Sequence, residues 1–206
     1  MGRPAVLAVT LPRRSVLAGG AAALAGCGLL PEGPEPIEAE AVSPADLPAS
    51  SDYSAVVSET RTFETTITVD LSGDVELTSR RDVTATVFRR VYEDDAGRRL
   101  GLVTAPAVVV IESPETVRDP VASLDAARVV ALATDRSVDS VDEFEADGQA
   151  TLLSTETTRA VATAMAGVTD RRVARLRVRA GEDAVTAVGE GPDAADHPFG
   201  DVTRET

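Results

Sequence analysis

The sequence predicts an α+β domain, an antiparallel β-sheet packed with one main helix, preceded by a signal segment and a short linker. Three observations predict it. Runs rich in Val, Thr, Ile and Phe alternate with period two from Ser54 to Val69 and from Asp82 to Tyr92. Turn signals at Ser72-Gly73-Asp74, Asp94-Asp95-Ala96-Gly97 and Gly181-Glu182-Asp183 join neighbouring runs closely enough for antiparallel pairing. Only Asp119 to Ala133 carries apolar residues at helical spacing over a full-length element.

Residues 1–26 read as an export signal. Such segments have a positive start, an apolar core and a small-residue cleavage zone. Arg3, Arg13 and Arg14 supply the charge, and uncharged, mostly small residues fill the run up to Cys27. That run is shorter than the roughly 20 apolar residues a spanning helix needs. Arg13-Arg14-Ser15-Val16-Leu17 fits a twin-arginine signal, with Val16 where Phe is usual. Leu24-Ala25-Gly26-Cys27 has the form of a lipobox, whose small residues fit a peptidase and whose cysteine takes a thioether-linked lipid. Cys27 is the chain's one cysteine, so no disulfide forms within it. The expected location is the outer face of the cell membrane, held by a lipid on Cys27 after passage through the twin-arginine export machinery.

Residues 27–40 form the linker. Pro31-Glu32-Gly33-Pro34-Glu35-Pro36 is extended and solvated by composition. Residues 41–192 form a single domain. Ser43-Pro44-Ala45-Asp46-Leu47 looks like the start of a short helix, with Ser43 as N-cap. On the strand from Asp82 to Tyr92, Val83, Ala85, Val87 and Arg89 share one face and Thr84, Thr86, Phe88 and Arg90 the other. Arg98 to Thr104 follows the hairpin turn. The apolar run Val108 to Ile111 reads as a buried strand. After the Asp119–Ala133 helix, a turn is expected at Ala146-Asp147-Gly148. Strands then follow at Gln149–Ser154, Val173–Ala180 and Ala184–Gly189. Thr158 to Ala166 fits strand or helix equally. Residues 193–206 read as an acidic, flexible tail.

Charge narrows the partners. The chain has 34 Asp and Glu against 20 basic residues, all of them arginine, for a net charge of −14. Such a surface repels phosphate backbones, so nucleic acid is excluded as a partner. Abundant carboxylates without lysine suit a halophile, because strong salt screens their mutual repulsion while they hold water. A genome rich in GC codons favours the same residues.

No catalytic constellation stands out. His197, the one histidine, falls in the expected tail, so no Ser-His-Asp arrangement is built on it. The carboxylate runs Glu93-Asp94-Asp95, Asp142-Glu143 with Glu145, and Glu182-Asp183 are what any acidic protein offers, and none has the spacing of a calcium loop. No phosphate-binding or dinucleotide glycine motif occurs, and neither metal nor cofactor is expected. The one basic cluster is Arg171, Arg172, Arg175, Arg177 and Arg179. Arg175, Arg177 and Arg179 share a strand face, with Ala174, Leu176 and Val178 on the other. They form a patch for an anionic partner, or they pair with acids on neighbouring strands.

From Arg13 to about Pro192 the chain resembles a family of uncharacterised haloarchaeal lipoproteins with a twin-arginine signal, a lipobox and one domain of unknown function. The resemblance rests on Leu24-Ala25-Gly26-Cys27, on Ala39-Glu40-Ala41-Val42-Ser43 leading to Tyr53, and on Asp82-Val83-Thr84 running to Tyr92-Glu93. It extends through Thr104-Ala105-Pro106 and Ala184-Val185-Thr186-Ala187-Val188-Gly189. Asp119-Pro120 stands where the family often has Asn-Pro, and Gly191-Pro192 where it has Tyr-Pro. The resemblance implies location and fold type, and no activity. The expected function is therefore a lipid-anchored, non-enzymatic binding or envelope role toward an unidentified partner. The alternatives are a carboxylate-dependent envelope hydrolase and a solute-binding component of a transporter.

Overall fold

The computed structural model describes residues 35–71, 77–112 and 115–204. The signal residues Arg13, Arg14, Leu24, Ala25 and Gly26, and the lipid-attachment residue Cys27, lie outside them. The strands are β1 (Ile37–Glu40), β2 (Ala45–Asp46), β3 (Ser54–Leu71), β4 (Leu77–Glu93), β5 (Arg99–Pro106), β6 (Val108–Glu112) and β7 (Glu115–Arg118). They continue as β8 (Ser140–Val141), β9 (Glu145–Leu152), β10 (Thr155–Ala166), β11 (Thr169–Ala180), β12 (Asp183–Glu190) and β13 (Thr203–Arg204). One α-helix, α1 (Ala126–Thr134), stands among them.

The expected α+β sandwich is not what forms. Strand makes up 62% and helix 12%, so the domain is mostly β, built on a curled mixed sheet. The main path runs β4-β5-β12-β11-β10, with β3 along the outer edge of β4 and β9 and β8 along that of β10. All these pairings are antiparallel; β1 adds to β4 in parallel, beyond the end of β5.

Both faces of this sheet are covered, which explains why a single helix is not the organising layer. On one face Val83, Ala85, Val87, Val103, Val173 and Val188 meet Val121, Val129, Val130 and Ala133. On the other, Tyr92, Leu100, Leu102, Leu176, Val185 and Ala187 meet Ala45, Leu47, Ala194, Phe199 and Val202. Strand β12 is buried from end to end. Each fully buried Val or Leu adds roughly 1.5–3 kcal/mol, and two apolar faces supply enough of them in a chain with few aromatics.

Two glycines set how closely the outer layers sit. A Cβ on Gly101 would overlap the Ala133 carbonyl, so α1 rests directly on β5. On the opposite face a Cβ on Gly189 would overlap the ring of His197.

Several local expectations are corrected. The 119–133 helix is split. Asp119 caps a 3-10 turn, Pro120–Ser123, by accepting from Val121 N–H at 2.9 Å. Leu124 is extended, and Asp125 caps α1 through Arg128 N–H at 2.8 Å. Two acids with local capping geometry outcompete one continuous helix. Residues 45–46 form β2, which pairs with β13, because a sheet partner takes the backbone that Ser43 and Pro44 would have started as helix. Val108–Ile111 is not fully buried. In the β6–β7 hairpin Val108 and Val110 turn inward and Val109 is 43% exposed. Residues 146–148 lie inside β9, and the actual turn is Leu153-Ser154, both at positive φ (51° and 61°), joining β9 to β10. Thr158–Ala166 belongs to strand β10.

The expected tail is an ordered cover of the second face. Ala194, His197, Phe199 and Val202 are buried, and β13 pairs with β2. Asp183, fully buried, holds both terminal segments. It accepts from Val42 N–H at 3.0–3.1 Å and is ion-paired to Arg204, whose guanidinium also donates to the Ser43 and Ala180 carbonyls. Tyr92 adds a second clasp, accepting from Leu47 N–H at 3.2 Å and donating to Asp46 at 2.6 Å.

Candidate functional site

The fold ties down three carboxylates of the acidic runs. Glu93 binds Arg99 at 2.6 Å, Asp94 binds Arg98 at 2.6 Å, and Asp183 is the buried clasp just described. Asp142, Glu143 and Glu145 face a shallow cleft of about 290 Å³ that also holds Arg172. Among the described residues, no three His, Cys, Asp or Glu side chains converge as a metal site, and no helix is long and apolar enough to cross a membrane.

Arg175, Arg177 and Arg179 do share one face of β11, the face that carries α1. Their cross-strand neighbours on β12 are Val188, Thr186 and Ala184, and Arg175 faces Ala160 on β10. None is an acid, so the pairing with neighbouring carboxylates that would have neutralised the row is absent. The three then diverge. Arg175 lays its guanidinium 4.0 Å from the centre of the Phe144 ring. Burial, with the nearby charge of Arg177, pulls its pKa down to about 10. It does not line the cleft that the other two share.

Arg177 and Arg179 line a cleft of about 220 Å³ with Arg118 and Asp119, between the sheet and the β6–β7 hairpin. Arg177 donates once, from Nη2 to the Val121 carbonyl at 3.3 Å, and its buried Nε has no partner. The hydroxyl of Thr186, opposite it in register, is also buried without one. Burial lowers the Arg177 pKa, and the charge of Asp119 offsets part of that. Arg179 is exposed and donates to the Gly181 carbonyl at 3.3 Å; Arg118 donates to the Val117 carbonyl at 3.1 Å. Among the described residues none of the three makes an ion pair within 4 Å. Asp119 is the cleft's one carboxylate, and burial raises its pKa.

In two larger clefts the half-buried arginines are already paired, and the one arginine without a side-chain partner among the described residues there, Arg172, is exposed to solvent. One of about 370 Å³ also holds arginines, but Arg136 and Arg171 both bind Glu190 Oε1, at 3.2 and 3.1 Å, and Arg98 is held by Asp94. The largest, about 610 Å³, is mainly apolar. Its Arg204 is saturated by Asp183, Ser43 and Ala180.

Sequence reading missed Arg118. It reaches the cleft on β7, a four-residue strand with no periodicity to mark it. His197 lies far from the expected tail behaviour. Its Nδ1 meets the Tyr53 hydroxyl at 3.0 Å, its Nε2 is buried without a partner, and burial pulls its pKa down to about 4.

Fold and site together define a mostly-β domain with one sheet covered on both faces and an arginine-lined cleft at its side. Residues 40–205 match the family described as a domain of unknown function, DUF6517, and the chain belongs to it. No curated protein and no solved structure matches the chain.

Proposed function

We propose that this chain is a lipid-anchored binding module of the cell envelope of a halophile, exported by the twin-arginine route and tethered through Cys27. Its body captures a phosphate or carboxylate group, on a small ligand or on an envelope partner, between Arg118, Arg177 and Arg179. The observation that carries the reading is Arg177: a guanidinium held half-buried, with no carboxylate in contact and an unpaired Nε. A charge in that position destabilises the fold unless something compensates it. An anion supplies what is missing, and guanidinium forks match its geometry. Asp119 opposes the anion while ionised, so affinity rises as pH falls through its elevated pKa. The export and anchoring part rests on Arg13-Arg14 and Leu24-Ala25-Gly26-Cys27.

Titration calorimetry with inorganic phosphate and with acetate, at fixed ionic strength, tests the site. Arg177→Met is expected to lose binding by about tenfold or more, while folding stability stays level or rises because an uncompensated charge is gone. Equal binding by both proteins, or marked destabilisation of the variant, assigns Arg177 to the architecture instead. For the anchor, Cys27→Ser is expected to move the protein from the membrane fraction to the soluble one, and unchanged fractionation removes the tether.

A further inference from the structure

The longest strand of the sheet leaves one side open. Strand β3 pairs with β4 along its length, and among the described residues nothing pairs with its other edge. That edge presents a row of backbone N–H and C=O groups. Proteins usually guard such edges with lysine, proline or inward charges, or keep them short. Strand β3 is 18 residues long, contains neither lysine nor proline, and has its one bulge at its start, between Ala55 and Val57.

Its sequence is also complementary to itself. In an antiparallel pair of two copies, facing residues must lie on the same sheet face. A two-fold axis through Thr60 places Glu59 of each copy opposite Arg61 of the other, Val57 opposite Phe63, and Ser58 opposite Thr62. Neighbouring registers fail: an axis at Glu59 or Arg61 sets like charges against each other, and one at Ser58 or Thr62 leaves both charges facing uncharged residues. Within one copy Arg61 binds Glu59 at 2.7 Å, and Glu59 also binds Arg89; with side chains 53% and 37% accessible, Arg61 and Glu59 can exchange their mutual contact for the same contact across the axis. Val57 and Phe63 are only half-buried within one copy, and lie on the face that carries α1.

We infer that two copies of this chain associate edge to edge through antiparallel β3 strands centred on Thr60, forming one continuous sheet. The inference stands on the strand alone and is independent of the arginine cleft.

Single-cysteine cross-linking reads the register directly, in the full chain carrying Cys27→Ser. Facing Cα atoms in an antiparallel pair lie about 4.5–5.5 Å apart, within disulfide range. Thr60→Cys is expected to give a covalent dimer on mild oxidation. Ser58→Cys and Thr62→Cys are expected to cross-link when mixed and not alone. Sedimentation equilibrium of the chain without introduced cysteines is expected to show a dimer. Arg61→Glu, which sets two like-charge pairs across the axis, weakens it about tenfold or more, while Arg61→Lys retains it. A monomer at all concentrations overturns the inference, as does Thr62→Cys cross-linking to itself as well as Thr60→Cys does.

Discussion

Arg89 offers the sharpest test of how this fold handles charge. Its guanidinium is 1% exposed, on the α1 face of β4. It meets Glu59 at 2.5 Å across to β3 and Asp135 at 2.6 Å, the residue that ends α1 in a left-handed conformation. The two acids are 37% and 45% exposed. The buried member is therefore the cation, and the two ways of breaking the cluster should differ greatly. Glu59→Gln with Asp135→Asn leaves a buried charge without counterions, a loss of about 3–5 kcal/mol. Asn keeps the left-handed geometry at 135 accessible, so the helix end itself is spared. Arg89→Met fills the stem's volume, removes the unpaired Nε and frees two carboxylates that water already reaches. It should cost less than about 1.5 kcal/mol. Urea unfolding at constant salt measures both without changing ionic strength, and the double variant should melt about 6–20 °C lower. If Arg89→Met costs as much as the double variant, the ion cluster is itself a net source of stability and the desolvation reasoning is wrong. Arg89 also holds the pKa of Glu59 and of Asp135 below the usual carboxylate range. The stability this confers is present above the unfolded-state values and lost as pH falls through the folded-state ones.

Gly101→Ala is expected to lift α1 from β5, because the new methyl would overlap the Ala133 carbonyl. A thermal shift equivalent to about 1–3 kcal/mol checks it, with Gly200→Ala, which has open space around it, as the neutral control. His197 should give the domain an acid-sensitive component. The unfolded chain takes up a proton near pH 6.5 that the folded one refuses until about pH 4. Stability is therefore expected to fall by up to about 3 kcal/mol as pH drops through that window. His197→Gln should flatten that part of a urea-midpoint profile, and an unchanged profile would assign the loss to other groups.

The strands of the sheet were legible because period-two alternation is local. Val83, Ala85, Val87 and Arg89 share one face as expected, and the structure buries all four, so the phase was readable although the burial was not. The Arg177–Arg179 half of the cleft was readable for the same reason. Its other half was not, because Arg118 is brought in by a hairpin from outside the main sheet.

Taken alone, the sequence determined the strand-rich core, the hairpin turn at Asp94–Gly97, the alternating faces and the net negative charge. Tertiary structure alone decided that both faces are covered. The second cover comes from residues 41–47 and 194–204, whose few apolar side chains have no period. Their positions are fixed by Asp183, which binds Val42 across 141 residues of chain. Local propensity cannot register a buried carboxylate that gathers distant backbone amides, because its stabilising effect exists only once the sheet beneath it is formed.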